Sequence, residues 1–316
     1  MKTMTRHDVS LLIFSVVLFT TCQKNNDNPP PPVSGERYKN EIFSNVTITK
    51  DIKYGQARNF QGQMEDLYLD LYQPAGDVEV NRPMVIALHG GSFINGDKTD
   101  SNWPIFCQAF AKRGYVTASI NYRLGIAAPN TPKTALEAIW RAQQDLRAAI
   151  RFARANSSTY KINPNKIFIM GNSAGGATCM NVGYVDSYEV PAEIDQTTWG
   201  NIEGNSGSPG YSSIANAVIS LWGNIGDTSW ISTNNIPVGL VHSRLDPVAP
   251  YVSGFNQPTA SNSYGGFSIN QRAKNLNVKT ELKTYNYQGH DRGLDDLVYL
   301  DSTITFSSNF LYQFAK

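Results

Sequence analysis

The chain has 316 residues, 41% of them apolar and 17% charged, with a formal net charge of +1. That length and apolar share suit one large globular domain, or at most two, and no repeat at solenoid or propeller periods divides it. Acids and bases are interspersed, so no basic stripe invites nucleic acid and no acidic tail invites a charged partner.

Residues 1–21 read as a secretory signal. Lys2, Arg6 and His7 give a basic start, and Val9 to Phe19 is apolar but too short to span a bilayer. Thr20-Thr21-Cys22 follows. A cysteine directly after the apolar stretch resembles a bacterial lipobox, although Phe19 and Thr21 stand where smaller residues are usual. The resemblance implies a lipid on Cys22 and a protein held at a membrane surface of the bacterial cell envelope; soluble secretion with a free Cys22 is the alternative. Residues 22–37 form a tether, Asn-rich to Asn28 and then polyproline from Pro29 to Pro32, which cannot bury a core. The remaining cysteines, Cys107 and Cys179, fall in helices expected on opposite faces of a sheet and are predicted to be unpaired.

Residues 38–316 read as one catalytic domain. Val46 to Tyr54 and Asp66 to Tyr72 pair as strands; in the second, Leu67, Leu69 and Leu71 alternate with Tyr68, Asp70 and Tyr72, which predicts a half-buried antiparallel strand. Met84 to Leu88 and Tyr115 to Ile120 are continuous apolar runs, as in strands buried on both faces, with a helix from Trp103 to Arg113 between them. Thr134 to Ala155 is the clearest helix: Ile139, Ala142, Leu146, Ala149, Ile150 and Ala153 recur at helical spacing, and Arg141, Arg147, Arg151 and Arg154 are expected on its surface. Strands follow at Lys166 to Met170, Ala217 to Trp222, Ile236 to His242 and Thr280 to Tyr287, with helices at Ser268 to Leu276 and Asp295 to Phe314. Eight strands alternating with helices predict an α/β domain, a mostly parallel sheet covered on both faces, with its chemistry beyond the carboxyl ends of the strands.

Those strand ends carry the informative residues. Gly171-Asn172-Ser173-Ala174-Gly175 joins a strand to a helix through a tight turn, which lifts the Ser173 hydroxyl clear of the sheet. A glycine turn capping a helix would carry the same five residues, so the neighbouring strand ends decide. After the Met84 strand comes His89-Gly90-Gly91-Ser92-Phe93, where glycines let backbone N–H groups approach a substrate oxygen. A serine hydroxyl needs a base. His7 lies in the signal, and His89 precedes the serine and is expected to brace its own loop. His242 and His290 remain. Acids following strands are Asp246 and Asp227, with Asp186 and Asp195 in an irregular stretch. There is no His-x-x-x-His and no Cys-x-x-Cys, so no metal site is expected.

Taken together, these residues resemble an α/β-hydrolase of the carboxylesterase/lipase kind, from about Asp66 to Phe314. The resemblance rests on His89-Gly90-Gly91-Ser92-Phe93, Asn121-Tyr122-Arg123-Leu124, Gly171 to Gly176, Asp246-Pro247-Val248 and Gly289-His290. Leu69-Asp70-Leu71-Tyr72-Gln73-Pro74 is similar to the bifunctional feruloyl and acetyl-xylan esterase group within it. It implies carboxylic-ester hydrolysis without a cofactor, on a small-molecule or polysaccharide-linked ester. By the match, Ser173 is the nucleophile and the N–H groups of Gly91, Ser92 and Ala174 form the oxyanion hole. The order Ser, acid, His within this superfamily favours His290 as base and Asp246 as acid, leaving His242 to packing or turn support. Residues 184–213, with Tyr188, Trp199 and Tyr211, sit where hydrolases often carry a cap. Phe93, Tyr122, Trp222 and Trp230 lie near strand ends and are expected to line the pocket. An amide-cleaving hydrolase on the same fold and a non-catalytic surface binding protein are the alternatives.

Overall fold

The computed structural model describes residues 36–316 except 101, 187–189, 234, 292, 293 and 295. The signal, Cys22, residues 22–35 of the tether, Tyr188 and Asp295 lie outside the described residues.

Eight strands form one sheet. In chain order the elements are β1 (Val46–Arg58), β2 (Met64–Pro74), β3 (Arg82–Leu88), α1 (Trp103–Lys112), β4 (Val116–Ile120), α2 (Pro132–Ala155), α3 (Ser157–Tyr160), β5 (Ile162–Asn172), α4 (Ala174–Tyr184), α5 (Gln196–Trp199), β6 (Ala217–Leu221), β7 (Val238–Leu245), β8 (Ser253–Asn256), β9 (Ser261–Tyr264), α6 (Gly266–Asn275), β10 (Thr280–Gln288) and α7 (Leu297–Ala315). The sheet order is β1-β2-β4-β3-β5-β6-β7-β10, and β8 and β9 make a separate hairpin. β1 and β2 run antiparallel, as does β2 against β4, while β3, β4, β5, β6, β7 and β10 are mutually parallel. This is the mostly parallel α/β sheet expected from the alternating strand and helix signals.

Both faces of the sheet are covered because its central strands are apolar on both sides. Ile86, Leu88 and Ile169 pack with Ala142, Leu146, Ala177 and Met180 of α2 and α4 and with Ile269 of α6. Val85, Ala87, Phe168 and Met170 pack on the other side with Phe106 and Phe110 of α1 and with Ile304 and Phe310 of α7. Cys107 and Cys179 belong to these opposite clusters and are free and buried.

Two expectations need correction. β2 is not half-buried: Leu69, Asp70, Leu71 and Tyr72 are all buried. α1 covers its polar face, and Asp70 there accepts from Lys98 Nζ at 2.8 Å. Nor do the α2 arginines lie on a solvated surface, since Arg141, Arg147 and Arg151 are buried. The irregular chain after α4 lies over them. Arg147 donates to the Val185 carbonyl, Arg151 donates to the carbonyls of Glu203 and Gly207, and Gln144 holds the carbonyls of Trp199 and Asn201. That chain therefore braces α2, and its contacts are with α2 and β1.

Candidate active site

Ser173 sits between β5 and α4 with φ 51° and ψ −118°, a left-handed conformation that side chains rarely adopt. The turn is tight enough that a Cβ on Gly171 would lie 2.4 Å from the Gly175 backbone, and a Cβ on Gly175 would lie 2.4 Å from the Leu88 carbonyl oxygen. Only glycine fits at either place. Strain of this kind costs on the order of 1–3 kcal/mol and persists only where packing on both sides enforces it. Here it aims the serine hydroxyl away from the helix it precedes.

Three side chains from distant stretches meet at this turn. Ser173 Oγ lies 2.7 Å from His290 Nε2, and His290 Nδ1 lies 2.8 Å from Asp246 Oδ2. His290 follows β10, and Asp246 follows β7, the neighbouring strand, so parallel pairing brings both loops to one edge. The Asp246 side chain is fully buried and its Oδ1 accepts from the N–H groups of Val248 and Ala249 at 2.8 and 2.9 Å. Burial alone would raise its carboxyl, but hydrogen bonds from His242 and His290, the charge of His290 and the Val248 N–H outweigh burial and hold it down at about 2. Burial works to lower the His290 imidazole, yet the hydrogen bond and charge of Asp246, with the charge of Asp291, leave it raised above its ordinary 6.5.

The loop after β3 approaches Ser173 from the other side. Gly91 has φ +101°, and its own Cβ would strike the Asn95 carbonyl oxygen at 2.0 Å. Ser92 and Phe93 also have positive φ, 55° and 63°. Among the described residues no acceptor takes the N–H of Gly91, Ser92 or Ala174. Such free donors beside a nucleophile suit a developing oxyanion. Below the loop, His89 Nδ1 donates to the Gly90 carbonyl at 2.7 Å, and Tyr122 stacks on His89 and donates to the carbonyls of His89 and Gly90.

Of the four aromatics expected at the pocket, only Phe93 is there. Phe93, Ser92, Ala174 and Ala177 line a small cavity of about 20 Å³ beside Ser173, whose far wall is Asn224, Val248, Ala249, Asn256, Pro258 and Thr259. Tyr122 is instead spent bracing the His89 loop. Trp222 is buried in the core, donating to Ser243 Oγ and stacking on Tyr285. Trp230 packs over Gly226 and, partly buried, against the core. No described residue of 184–213 lines this cavity; the β8–β9 hairpin walls it. The rival acid Asp227 caps a short turn, accepting from Ser229 N at 2.7 Å, and Asp195 likewise caps α5. A second cavity of about 140 Å³ lies behind the His89 loop, with Asn172, Trp103 and Asp291 in its wall.

Sequence reasoning did not single out Asn172 or the hairpin. Asn172 Nδ2 donates to Asp291 Oδ2 at 3.1 Å and its Oδ1 accepts from Trp103 Nε1 at 3.2 Å, so it ties the serine turn to the loop that carries His290. Its position inside the glycine pentapeptide was its only signal. Among the described residues no three His, Cys, Asp or Glu side chains are grouped to hold a metal ion.

Residues 69–225 match the BD-FAE family model. Bile salt-activated lipase of Homo sapiens is 29% identical over 184 residues, which are 54% of this chain and 23% of that protein. Carboxylesterase 3B of Mus musculus is 30% identical over 151 residues, 46% of this chain and 24% of that protein. The chain thus spans about a quarter of the length of these curated relatives. Among solved structures, propionate-bound esterase 2 of Thermogutta terrifontis aligns with a TM-score of 0.62 and 21% identity, covering 84% of this chain and 93% of that chain. The same enzyme phosphorylated by paraoxon gives 0.62 and 21% over 86% and 95%.

Proposed function

We propose that this chain, an α/β-hydrolase of the carboxylesterase/lipase type, hydrolyses short-chain carboxylic esters through an acyl-enzyme on Ser173. The observation that carries the reading is the continuous relay of 2.7 and 2.8 Å from Ser173 through His290 to Asp246. Ser173 Oγ attacks the ester carbonyl and His290 Nε2 takes its proton. Asp246 accepts from Nδ1, which fixes the tautomer and stabilises the imidazolium. The N–H groups of Gly91, Ser92 and Ala174 receive the oxyanion. His290 returns the proton to the leaving alcohol as the C–O bond breaks. Water, deprotonated by His290, then attacks the acyl-enzyme, and the acid leaves as Ser173 regains its proton.

The cavity bears on the substrate. A cavity of about 20 Å³ has room for one or two waters, which fits an acetyl methyl better than an aromatic acyl chain. Propionate bound in the Thermogutta terrifontis esterase is in keeping with a short acyl group. Between acetyl and feruloyl esters of polysaccharides, this reading selects acetyl. The N-terminus belongs to the same proposal: export, with Cys22 lipidated and the domain tethered to an envelope membrane. Cys22→Ser then abolishes labelling by an alkynyl fatty acid.

The test is turnover of p-nitrophenyl acetate against the octanoate ester and a matched anilide. Acetate is expected to lead and the anilide to stay uncleaved. Ser173→Ala is expected to lower kcat by about 10⁴ to 10⁶. Ester turnover unchanged in that variant would refute the nucleophile.

A further inference from the structure

His242 is a second histidine against the same carboxylate. It lies on β7, four residues before Asp246, and is 1% exposed. Its Nδ1 faces the N–H of Gly266 at 3.1 Å. Gly266 is the first residue of α6, where an N–H has no acceptor inside the helix and must find one elsewhere. An amide N–H can only donate, so Nδ1 is the acceptor and the ring proton sits on Nε2. Nε2 points to two oxygens, the Ala249 carbonyl at 3.1 Å and Asp246 Oδ2 at 3.4 Å. Ala249 in turn donates its own N–H to Asp246 Oδ1. His242 Nε2–H therefore donates to the Ala249 carbonyl and lies against Asp246 Oδ2, while the Ala249 N–H holds Asp246 Oδ1, so the three residues brace the carboxylate that orients His290. The His242 ring is further fixed edge-on by Tyr251, with centroids 5.7 Å apart.

We propose that His242 is a positioning residue for the relay: the α6 N-terminus locks its tautomer so that Nε2–H, bonded to the Ala249 carbonyl and facing Asp246 Oδ2, keeps Asp246 turned toward His290. The ring has two separable jobs. Nδ1 satisfies α6 and belongs to the fold. Nε2 acts through Asp246 and belongs to the reaction. The inference rests on the relay reading above, and it explains why a buried histidine stands where an apolar strand residue would fill the same space.

Two substitutions divide the jobs. His242→Asn keeps an acceptor near the Nδ1 position and removes the Nε2 donor. It is expected to keep its Tm near that of the parent while kcat for p-nitrophenyl acetate falls roughly ten- to hundredfold at unchanged KM. His242→Gln places an amide N–H near the Nε2 position and abandons Gly266. It is expected to lose Tm but hold kcat within about threefold, since the donor facing Ala249 and Asp246 is kept. A merely structural residue would move Tm and kcat together. Parental kcat in the Asn variant, or equal loss of kcat in both, would overturn the proposal. Should the Asn variant fail to fold, the Gln variant decides alone, by retained or lost turnover. The downfield proton NMR resonance of His290 Nδ1–H gives a readout that needs no turnover. It is expected to persist in the Gln variant and to broaden or shift upfield in the Asn variant. If the parent cleaves no ester, the functional reading fails while this resonance still tests the role of His242.

Discussion

At the scale of single residues, the electrostatics of His290 give a measurable sign. Only neutral His290 can take the Ser173 proton. Its imidazole is raised above 6.5 by Asp246, so protonated enzyme persists above that pH, and kcat/KM should climb to half its plateau at a pH higher than 6.5. Asp246→Asn removes both the hydrogen bond and the charge of Asp246 that raise it, leaving burial, which lowers it, opposed only by the charge of Asp291. The limb should then move to lower pH while kcat falls by about 10⁴, because the imidazole loses its tautomer. Asp227→Asn is the control: its carboxylate caps a short turn at the surface, so activity should stay within about twofold. A pH–rate series on the three proteins checks all of this. Ser173, Asp246 and His290 were legible as candidates because each follows a strand in a chain with few histidines. Rivals such as Asp227 were equally legible, since a capping aspartate and an orienting aspartate look alike until distance separates them. Tyr122 and Trp222 were misplaced for the related reason that sequence locates an aromatic near a strand end without saying which way its ring turns.

Among the elements, strands and helices with strong periodicity were readable to within a few residues, and the β8–β9 hairpin was not. Ser253-Gly254-Phe255-Asn256 and Ser261-Asn262-Ser263-Tyr264 have neither alternation nor length, and the turn between them, Gln257 to Ala260, is short. Yet this hairpin supplies Asn256, Pro258 and Thr259 to the wall that limits the acyl cavity. Asn256 is buried, and the bond its side-chain oxygen accepts, from Thr259 N at 3.4 Å, is long. Trimming it to alanine opens the cavity at small structural cost. Asn256→Ala should raise the ratio of kcat/KM for butyrate over acetate p-nitrophenyl esters by about tenfold, the scale of one or two methylenes finding or losing room. A ratio unchanged in this variant would mean that the acyl chain leaves Ser173 by another route, such as the cavity behind the His89 loop.

For the molecule as a whole, the question is what the long irregular stretch after α4 does. Lack of periodicity leaves 184–213 open either to a cap over the pocket or to a solvated loop, and the surplus of arginines on α2 reads as solvated. The arginine misreading has a physical cause. A chain without regular structure must still satisfy its carbonyls, and here it does so on buried guanidinium groups of α2, which sequence periodicity records only as polar positions. Arg151 is the centre of this seam: it is 4% exposed, donates from Nε to the Gly207 carbonyl at 3.0 Å, and pairs from Nη1 with the carbonyl and carboxylate of Glu203. Glu203 is itself half solvated, so its charge contributes little, and most of the loss on removing Arg151 comes from the two stranded carbonyls. Arg151→Ala should therefore cost about 2 kcal/mol, or about 3–4 °C in Tm for a domain of this size. Because none of these groups touches the wall around Ser173, kcat and KM for acetate and butyrate esters should stay at parental values below the new transition. A brace predicts lost stability with intact kinetics; a cap predicts altered KM, greatest for the longer acyl chain, before any change in melting. Thermal unfolding and steady-state kinetics on the same preparation of Arg151→Ala separate the two.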